Sequence, residues 1–205
     1  MLDNKGFDLW ADGYDLTVDI SDGENKYPFA GYKEILGRIF QIIMEKHGAA
    51  VLDIGIGTGT LATRLYKKGC LIFGQDFSAK MIESASRKMP NARLCQGDFS
   101  QGLAEELQFQ NYDFIVATYS LHHLPDEQKI DFLHSLLSHL NAGGKILIGD
   151  VAFKTREDMK ACREKAGDEW DDEEIYFVID EMKQAFPNLR YQPVSYCSGI
   201  ITLSR

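Results

Sequence analysis

The sequence has little of what marks disulfide-stabilised, zinc-binding or membrane proteins. Its four cysteines lie far apart and form no CxxC pair, so neither a disulfide framework nor a metal site is predicted, and reduced thiols in a cytoplasmic protein are favoured. No run of about 18 apolar residues occurs, and the N-terminus lacks the basic and apolar regions of a secretory signal. A membrane-spanning or exported chain is therefore not expected.

Clusters of Lys and Arg are also lacking. The formal net charge is -9 and the pI is about 5.0, so the field of the whole protein repels polyanions. Duplex nucleic acid and anionic membranes are therefore poor partners. The 205 residues, of which 44% are hydrophobic, suit one globular domain. The sequence leaves the oligomeric state open, with a homodimer as one option.

Apolar, β-branched runs alternate with stretches of helical periodicity along most of the chain. Such runs occupy residues 49–55, 70–76, 92–98, 112–119 and 144–151. Strands that are apolar throughout and separated by helices form parallel sheets covered on both faces. The pattern predicts an α/β, Rossmann-like, doubly wound and mostly parallel seven-stranded sheet, with helices on both faces.

The pattern changes at both ends of this core. Residues 1–47 predict an N-terminal helical cap or lid over a core at 48–151. Residues 152–187 predict a helical insertion whose second helix has Ile175, Val178, Ile179, Met182 and Phe186 on one face. Segments 189–196 and 199–205 predict an antiparallel C-terminal hairpin within 188–205. All of these parts are expected to form a single domain.

The stretch VLDIGIGTG at 51–59 predicts a strand that enters a tight ligand-binding turn. Its glycines follow a GxGxG spacing, whereas dinucleotide-binding turns have GxGxxG. Asp53 also places negative charge where a pyrophosphate would lie. The turn therefore favours a ligand that carries positive charge and approaches the backbone closely.

This turn is one of several motifs in a recognisable order. VLDIGIGTG, FGQDFS at 73–78, GDF at 97–99, YDFIVATYSLHHL at 112–124 and LNAGGKILIGD at 140–150 resemble the motif series of class I S-adenosylmethionine-dependent methyltransferases of the small bacterial kind. The resemblance spans roughly residues 48–151. It implies S-adenosylmethionine as methyl donor, S-adenosylhomocysteine as product and in-line transfer to a small-molecule acceptor.

The resemblance implies a role for each motif residue. Around the methionine part of the donor, Asp53 would lie near the ammonium group and the turn glycines would line the chain (Gly55, Gly57, Gly59). Asp76 would accept hydrogen bonds from both ribose hydroxyls, because a carboxylate offers two acceptor oxygens. Met81, by its helical spacing, is expected in the core.

The remaining donor contacts would come from the ends of the second, third and fourth strands. Phe77 would border the adenine, Asp98 would accept from the adenine amino group, and Phe99 would supply a backbone N–H or an apolar wall. Thr118 and Tyr119 would face the sulfonium. The alternative for Asp76 is a helix cap, and for Asp98 a surface turn.

Residues on the acceptor side are less constrained, since a general base is needed only if the nucleophile arrives protonated. His122 and His123 are the candidate catalytic residues, with core or helix-start positions as the alternative. Neighbouring side chains point apart, so at most one is expected to reach the site. Asp150 is a further candidate for substrate contact.

Two segments outside the core are candidate covers. FDLWADGYD at 7–15 offers Tyr14 and Trp10 as lid residues, because an aromatic face favours a sulfonium; Tyr14 is also a candidate catalytic residue. The acidic run DEWDDEE at 168–174 predicts either a solvated helix start or a lid over a cationic acceptor. Two other functions stay open: a donor-binding sensor without turnover, and a nicotinamide-dependent oxidoreductase.

Overall fold

The computed structural model describes residues 26–205, and the sheet organises this part of the chain. The strands are β1 (Ala50–Ile54), β2 (Leu71–Asp76), β3 (Arg93–Gln96), β4 (Tyr112–Thr118), β5 (Leu140–Phe153), β6 (Phe177–Val178), β7 (Arg190–Pro193) and β8 (Ser198–Ser204). Seven of them follow the order β3-β2-β1-β4-β5-β8-β7, and β6 pairs with the end of β5. Strands β1 to β5 pair in parallel, whereas β8 is antiparallel to both β5 and β7. The predicted sheet and its antiparallel hairpin are confirmed.

Helices connect the strands and cover both faces of the sheet. They are α1 (Tyr32–Met44), α2 (Thr60–Tyr66), α3 (Ala79–Lys88), α4 (Asp126–Ser138), α5 (Arg156–Ala166) and α6 (Ile179–Ala185). Short 3-10 turns occupy Phe99–Gln101, Glu105–Leu107, Leu121–His123 and Gly167–Glu169. Two apolar clusters result, one on each face of the sheet. No helix within residues 26–205 has the length and apolar character needed to cross a bilayer.

The predicted helix from Ile175 to Phe186 is wrong in its first part. Phe177 and Val178 form strand β6, which pairs in parallel with Ala152 and Phe153, and α6 begins only at Ile179. Helical periodicity is present, but the backbone of Ile175 already bonds elsewhere: its N–H donates to the carbonyl of His122 at 2.8 Å. Tertiary hydrogen bonds thus override the local pattern.

Helix α1 packs against the sheet through a glycine. A Cβ at Gly149 of β5 would lie 2.3 Å from Cγ2 of Ile35, so only glycine permits this approach. Ile35, Ile39 and Ile43 are fully buried, as the predicted i, i+4, i+8 spacing requires. Helix α1 thereby covers the centre of one face of the sheet.

The strand order fixes where a ligand can bind. From β1 the chain passes outward to β2 and β3, and it then returns to β4 on the other side of β1. Helices leave the carboxyl ends of β1 and β4 on opposite sides of the sheet, which opens a crevice at this switch point. The motif residues at 53–59, 76–81 and 118–123 all follow strand ends at this edge.

Candidate active site

A cleft lies at the carboxyl ends of β1, β2 and β4. The space between its walls is about 670 Å³, a value that includes open solvent at its mouth. Nine of the residues predicted to form the site line it, namely Asp53, Gly55, Gly57, Asp76, Phe77, Phe99, Thr118, Tyr119 and His123. The motifs therefore converge on one place, as their order along the chain predicts.

Other lining residues were not predicted from the sequence. Tyr32, Ile56, Thr58, Thr60, Leu61 and Ser120 also line the cleft. Met81 does too, although it is buried as expected of a core residue. Most of these positions lie one or two residues from a motif glycine or aspartate, so closeness along the chain could have identified them as lining residues. Tyr32 had no such signal, because α1 brings it from outside the core.

The glycine turn has a left-handed backbone at each of its three glycines. Gly55, Gly57 and Gly59 have φ of 69°, 54° and 79°. The N–H groups of Gly55 and Ile56 both donate to the carbonyl of Gln75, which ties the turn to β2. Gly59 does not line the cleft; it precedes α2 and accepts from the N–H of Thr63 at 2.8 Å.

Asp76 holds the same turn from the other side. Its Oδ2 accepts from the N–H of Gly57 at 2.9 Å, and its Oδ1 accepts from the N–H of Ser78 at 2.9 Å. The carboxylate is buried, at 6% exposure. Ser78, and not Asp76, caps α3 by accepting from the N–H of Met81. Asp76 is therefore held rigidly at the cleft wall by the backbone of the turn and of the start of α3.

Asp53 lies below the turn and is 3% exposed. Its Oδ1 has no hydrogen-bond partner among the described residues. Burial, and to a lesser extent the charge of Asp76, raises the pKa of Asp53 from 3.8 to about 8. A buried acceptor without a donor is costly, so this carboxyl group is suited to a cationic or hydrogen-bond-donating ligand.

The residues predicted to contact the adenine are only partly brought together. Phe77 and Phe99 line the cleft, and Phe99 is buried against Phe132. Asp98 is exposed and accepts from the N–H of Ser100 at 2.8 Å, so its side chain caps the 3-10 turn at Phe99–Gln101. The surface-turn alternative describes the position of Asp98, while its role toward a ligand stays a prediction.

Aromatic rings form the wall beyond β4. Tyr119, whose φ is 51°, packs its ring at 5.3 Å from Phe29 and 5.2 Å from Tyr32. Its N–H donates to the carbonyl of Gly149, which fixes the turn after Thr118. Tyr14 and Trp10, the predicted lid residues, lie outside the described residues.

Comparisons with known proteins agree with this geometry. A family model described as a methyltransferase domain matches residues 51–144. An uncharacterized methyltransferase of Geobacillus thermodenitrificans is 33% identical over 190 residues, covering 89% of this chain and 85% of that protein. Another, from Alkaliphilus oremlandii, is 34% identical over 196 residues, covering 92% and 88%. The chain is a class I S-adenosylmethionine-dependent methyltransferase.

Solved structures show the same fold at lower identity. A magnesium protoporphyrin IX methyltransferase from Synechocystis, with bound S-adenosylhomocysteine, superposes with a TM-score of 0.67 at 20% identity over 84% of this chain and 82% of its own. DesVI of Streptomyces venezuelae gives a TM-score of 0.68 at 18% identity, covering 94% and 96%. The oxidoreductase alternative is excluded by this family membership.

Only one of the two adjacent histidines of the methyltransferase lines the cleft, as expected, although their rings lie side by side with centroids 4.3 Å apart. His123 lines the cleft, and burial followed by the proximity of His122 lowers its pKa to about 3, so it is neutral. His122 is buried, and its Nδ1 lies 2.6 Å from Oδ1 of Asp150. Burial alone would lower the pKa of His122, but the carboxylate of Asp150 holds it above its usual value. Asp150 itself is fully buried and does not line the cleft.

The acidic segment after α5 also reaches this side of the methyltransferase. Oε1 of Glu174 lies 3.5 Å from Nε2 of His122, and its Oε2 accepts from the hydroxyl of Tyr176 at 2.8 Å. Buried Lys129 donates to the carbonyl of Ile175, which holds the segment in place. Glu174 was not singled out in the sequence, because it lies distant from His122 along the chain and no periodic signal connects them.

Aromatic contacts fasten the segment to the residues before α1. The hydroxyl of Tyr27 contacts that of Tyr176 and accepts from the N–H of Asp171 at 3.2 Å. Its ring stacks on Trp170 with centroids 5.1 Å apart. The run DEWDDEE is thus not a helix start: it begins in the 3-10 turn at Gly167–Glu169, most of its side chains are exposed to solvent, and Glu174 at its end lies beside His122. A lid role for the run stays a prediction.

Proposed function

We propose that this methyltransferase binds S-adenosylmethionine in the cleft at the switch point and transfers its methyl group, in line, to a small-molecule acceptor. The observation that carries the proposal is the buried carboxyl group of Asp53, which lines the cleft with Gly55 and Gly57 and whose Oδ1 has no partner among the described residues. A ligand with an ammonium group would satisfy it directly or through water.

The cleft suits the methionine and ribose parts of the donor. Gly57 has nothing within 4 Å of an added Cβ, so a ligand can approach its backbone closely. Asp76 is held at the cleft wall by two backbone N–H groups, and a carboxylate oxygen can accept more than one hydrogen bond, so it would also bind the ribose hydroxyls. The donor has no phosphate, so two acidic side chains in this cleft are compatible with it.

The apolar side of the cleft suits a flat base. Phe77, Met81 and Phe99 lie together there, and they would border the adenine. Asp98 is at the adjoining surface, where its carboxylate would accept from the adenine amino group while it caps Ser100.

The donor supplies an electrophilic methyl group on a sulfonium, so the protein has to align a nucleophile and exclude water. Thr118 and Tyr119 close the end of β4, and the rings of Tyr119 and Tyr32 form an aromatic surface there. Such a surface favours a sulfonium through cation-π attraction. His123 at the cleft wall is the candidate base for an acceptor that arrives protonated, although its lowered pKa of about 3 makes it a weak one.

The acceptor is proposed to be small because the described chain is almost entirely donor-binding core and its immediate walls. The segment from Gly167 to Tyr176 lies beside His122 and covers the acceptor side. One protein of the same fold, by its name, methylates magnesium protoporphyrin IX. The net charge of -9 also disfavours a nucleic-acid acceptor.

The first test is thermal unfolding with S-adenosylmethionine, S-adenosylhomocysteine and NADH in separate samples. A ligand at about 100 times its dissociation constant adds roughly 2.7 kcal/mol, so a clear rise in the midpoint is expected with the first two and none with NADH. Release of S-adenosylhomocysteine in the presence of a panel of amines, thiols and hydroxy acids then tests turnover. Donor binding without release across the panel would favour the sensor alternative.

A further inference from the structure

Three donor side chains converge at the acceptor end of the cleft. One ligand atom from each of His122, His123 and Glu174 lies within 4.8 Å of the other two. His122 is buried, and the other two are half-buried, so the group is largely shielded from solvent. Four-coordinate metal sites hold ligand atoms about 3.3 to 3.8 Å apart, which small side-chain rotations would reach.

Asp150 fixes which nitrogen of His122 is available. The contact of 2.6 Å between Oδ1 of Asp150 and Nδ1 of His122 keeps a proton on Nδ1, so Nε2 faces Glu174. Oδ1 of Asp150 also accepts from the N–H of Val151 at 2.8 Å, which holds the carboxylate in place. Metal-binding histidines are commonly oriented in this way by a carboxylate on the other ring nitrogen.

Glu174 is oriented by its own partner. Tyr176 donates to Oε2 at 2.8 Å and leaves Oε1 directed at His122. The distance from Oε1 to Nε2 of His122 is 3.5 Å, longer than a charge-assisted hydrogen bond of about 2.7 to 2.9 Å. The two atoms are placed as neighbouring ligands of one cation would be.

We propose that His122, His123 and Glu174 bind a divalent transition-metal ion, with zinc as the best match. Two imidazoles and one carboxylate are donors that zinc accepts, whereas magnesium and calcium prefer oxygen ligands throughout. Three protein ligands leave the fourth position of a tetrahedral ion open, which is typical of catalytic sites. Asp150 and Tyr176 are positioning residues.

The open position lies toward the cleft, because His123 lines it. If the proposed methyl transfer holds, the metal ion and not His123 would activate the acceptor: an acceptor X–H bound there would lose its proton to solvent. The lone pair of X would then form the new bond to the methyl carbon, and the electrons of the broken carbon–sulfur bond would remain on sulfur. The zinc-binding part of the inference stands independently of this role.

The test is calorimetric titration of the full chain with zinc after chelation and removal of the chelator. One zinc ion per chain is expected, with at least tenfold weaker binding in His123→Gln and Glu174→Gln. Asp150→Asn is expected to weaken zinc binding about 10- to 100-fold, because it removes the carboxylate that orients His122. Circular dichroism checks that each variant is folded, and the half-exposed Glu174 provides the change least able to disturb the core.

Two controls separate this site from adventitious binding. His134→Gln alters an exposed histidine of α4, and Cys95→Ser alters a half-buried thiol; neither should change the affinity or the stoichiometry. Cobalt in place of zinc should give visible bands of a nitrogen and oxygen site without the charge-transfer band of a thiolate. A thiolate band, or zinc affinity unchanged by His123→Gln and Glu174→Gln, would overturn the assignment.

Donor binding distinguishes this inference from the proposed function. The Glu174→Gln variant should keep its thermal shift with S-adenosylhomocysteine, since Glu174 does not line the donor cleft. Loss of zinc binding with donor binding retained supports a separate metal site. Absence of zinc binding in the unaltered chain overturns the metal site alone, and absence of the donor shift overturns the proposed function alone.

Discussion

Gly55 and Ser120 lie against each other across the floor of the cleft. A Cβ at Gly55 would be 2.5 Å from Cβ of Ser120, and the Oγ of Ser120 donates to the carbonyl of Ile54 at 2.9 Å. The end of β1 and the turn after β4 are therefore in direct contact. Glycine at this position is required by space as well as by its positive φ.

Replacing Gly55 with Ala should therefore destabilise the protein more than replacing Gly57. Both have positive φ, which costs a non-glycine residue about 1 to 2 kcal/mol, but only Gly55→Ala adds a steric clash of about 1 to 3 kcal/mol. Urea unfolding of both variants measures the difference. Equal losses of stability would mean that Ser120 moves aside without cost.

Asp76→Ala should weaken binding of S-adenosylhomocysteine about 10- to 100-fold, because it removes the acceptor proposed for the ribose. It should also lower the free energy of unfolding by about 1 to 3 kcal/mol, since the N–H groups of Gly57 and Ser78 lose their acceptor. Calorimetry and urea unfolding measure the two effects. Glu83→Ala, at an exposed position of α3, is the control. Unchanged affinity would refute the ribose assignment.

Asp53 should make stability fall as pH rises. Its pKa is about 8 in the folded protein and ordinarily 3.8, so between these values the folded state binds more protons than the unfolded state. Stability that depends on Asp53 is therefore present at acid pH and is lost as pH rises toward about 8. Asp53→Asn should remove this part of the pH dependence in urea unfolding. An identical slope in both proteins would contradict the prediction.

Donor affinity should show the opposite trend. A cationic ligand binds the ionised form of Asp53, so affinity for S-adenosylmethionine should rise as pH increases toward about 8, by up to about tenfold per pH unit. Calorimetry at several pH values in wild type and Asp53→Asn measures it, and the variant accounts for the ligand's own titration. The same dependence of affinity on pH in the variant would show that Asp53 does not interact with the ammonium group of the donor.

Lys129→Met should loosen the wall that carries Glu174. Lys129 is fully buried, donates to Asp126 at 2.9 Å and also donates to the carbonyl of Ile175. Without it the Ile175 carbonyl loses a partner, at a cost of about 1 to 3 kcal/mol. Faster hydrogen exchange at the N–H of Ile175 is expected, with S-adenosylhomocysteine binding unchanged. Lys160→Met, at an exposed position of α5, should leave exchange there unaltered.

The donor half of the site was predictable because its chemistry is local. A glycine turn with positive φ has few sequence solutions, and a carboxylate at the end of the next parallel strand necessarily lies beside it, as Gly57 and Asp76 show. Strand periodicity located β1 to β5 for the same reason: buried parallel strands are apolar along their whole length.

The acceptor half was not predictable because distant contacts determine it. Helical spacing from Ile175 to Phe186 is real, yet the bond from Ile175 to His122 and the pairing of Phe177 with Ala152 convert its start to strand. Tyr32 reaches the cleft only because Gly149 lets α1 approach β5. Nothing in the spacing of these residues along the chain encodes such contacts.

The contact between the hydroxyls of Tyr27 and Tyr176 joins the segment before α1 to the segment after α5. The donor side is built from short neighbouring stretches of chain, whereas the acceptor wall joins residues 149 positions apart. If these residues border the acceptor as proposed, exchanging residues 167–176 for those of a relative, together with position 27, is expected to alter which molecule is methylated while binding of the methyl donor is kept. Substrate preference would then be a transplantable trait.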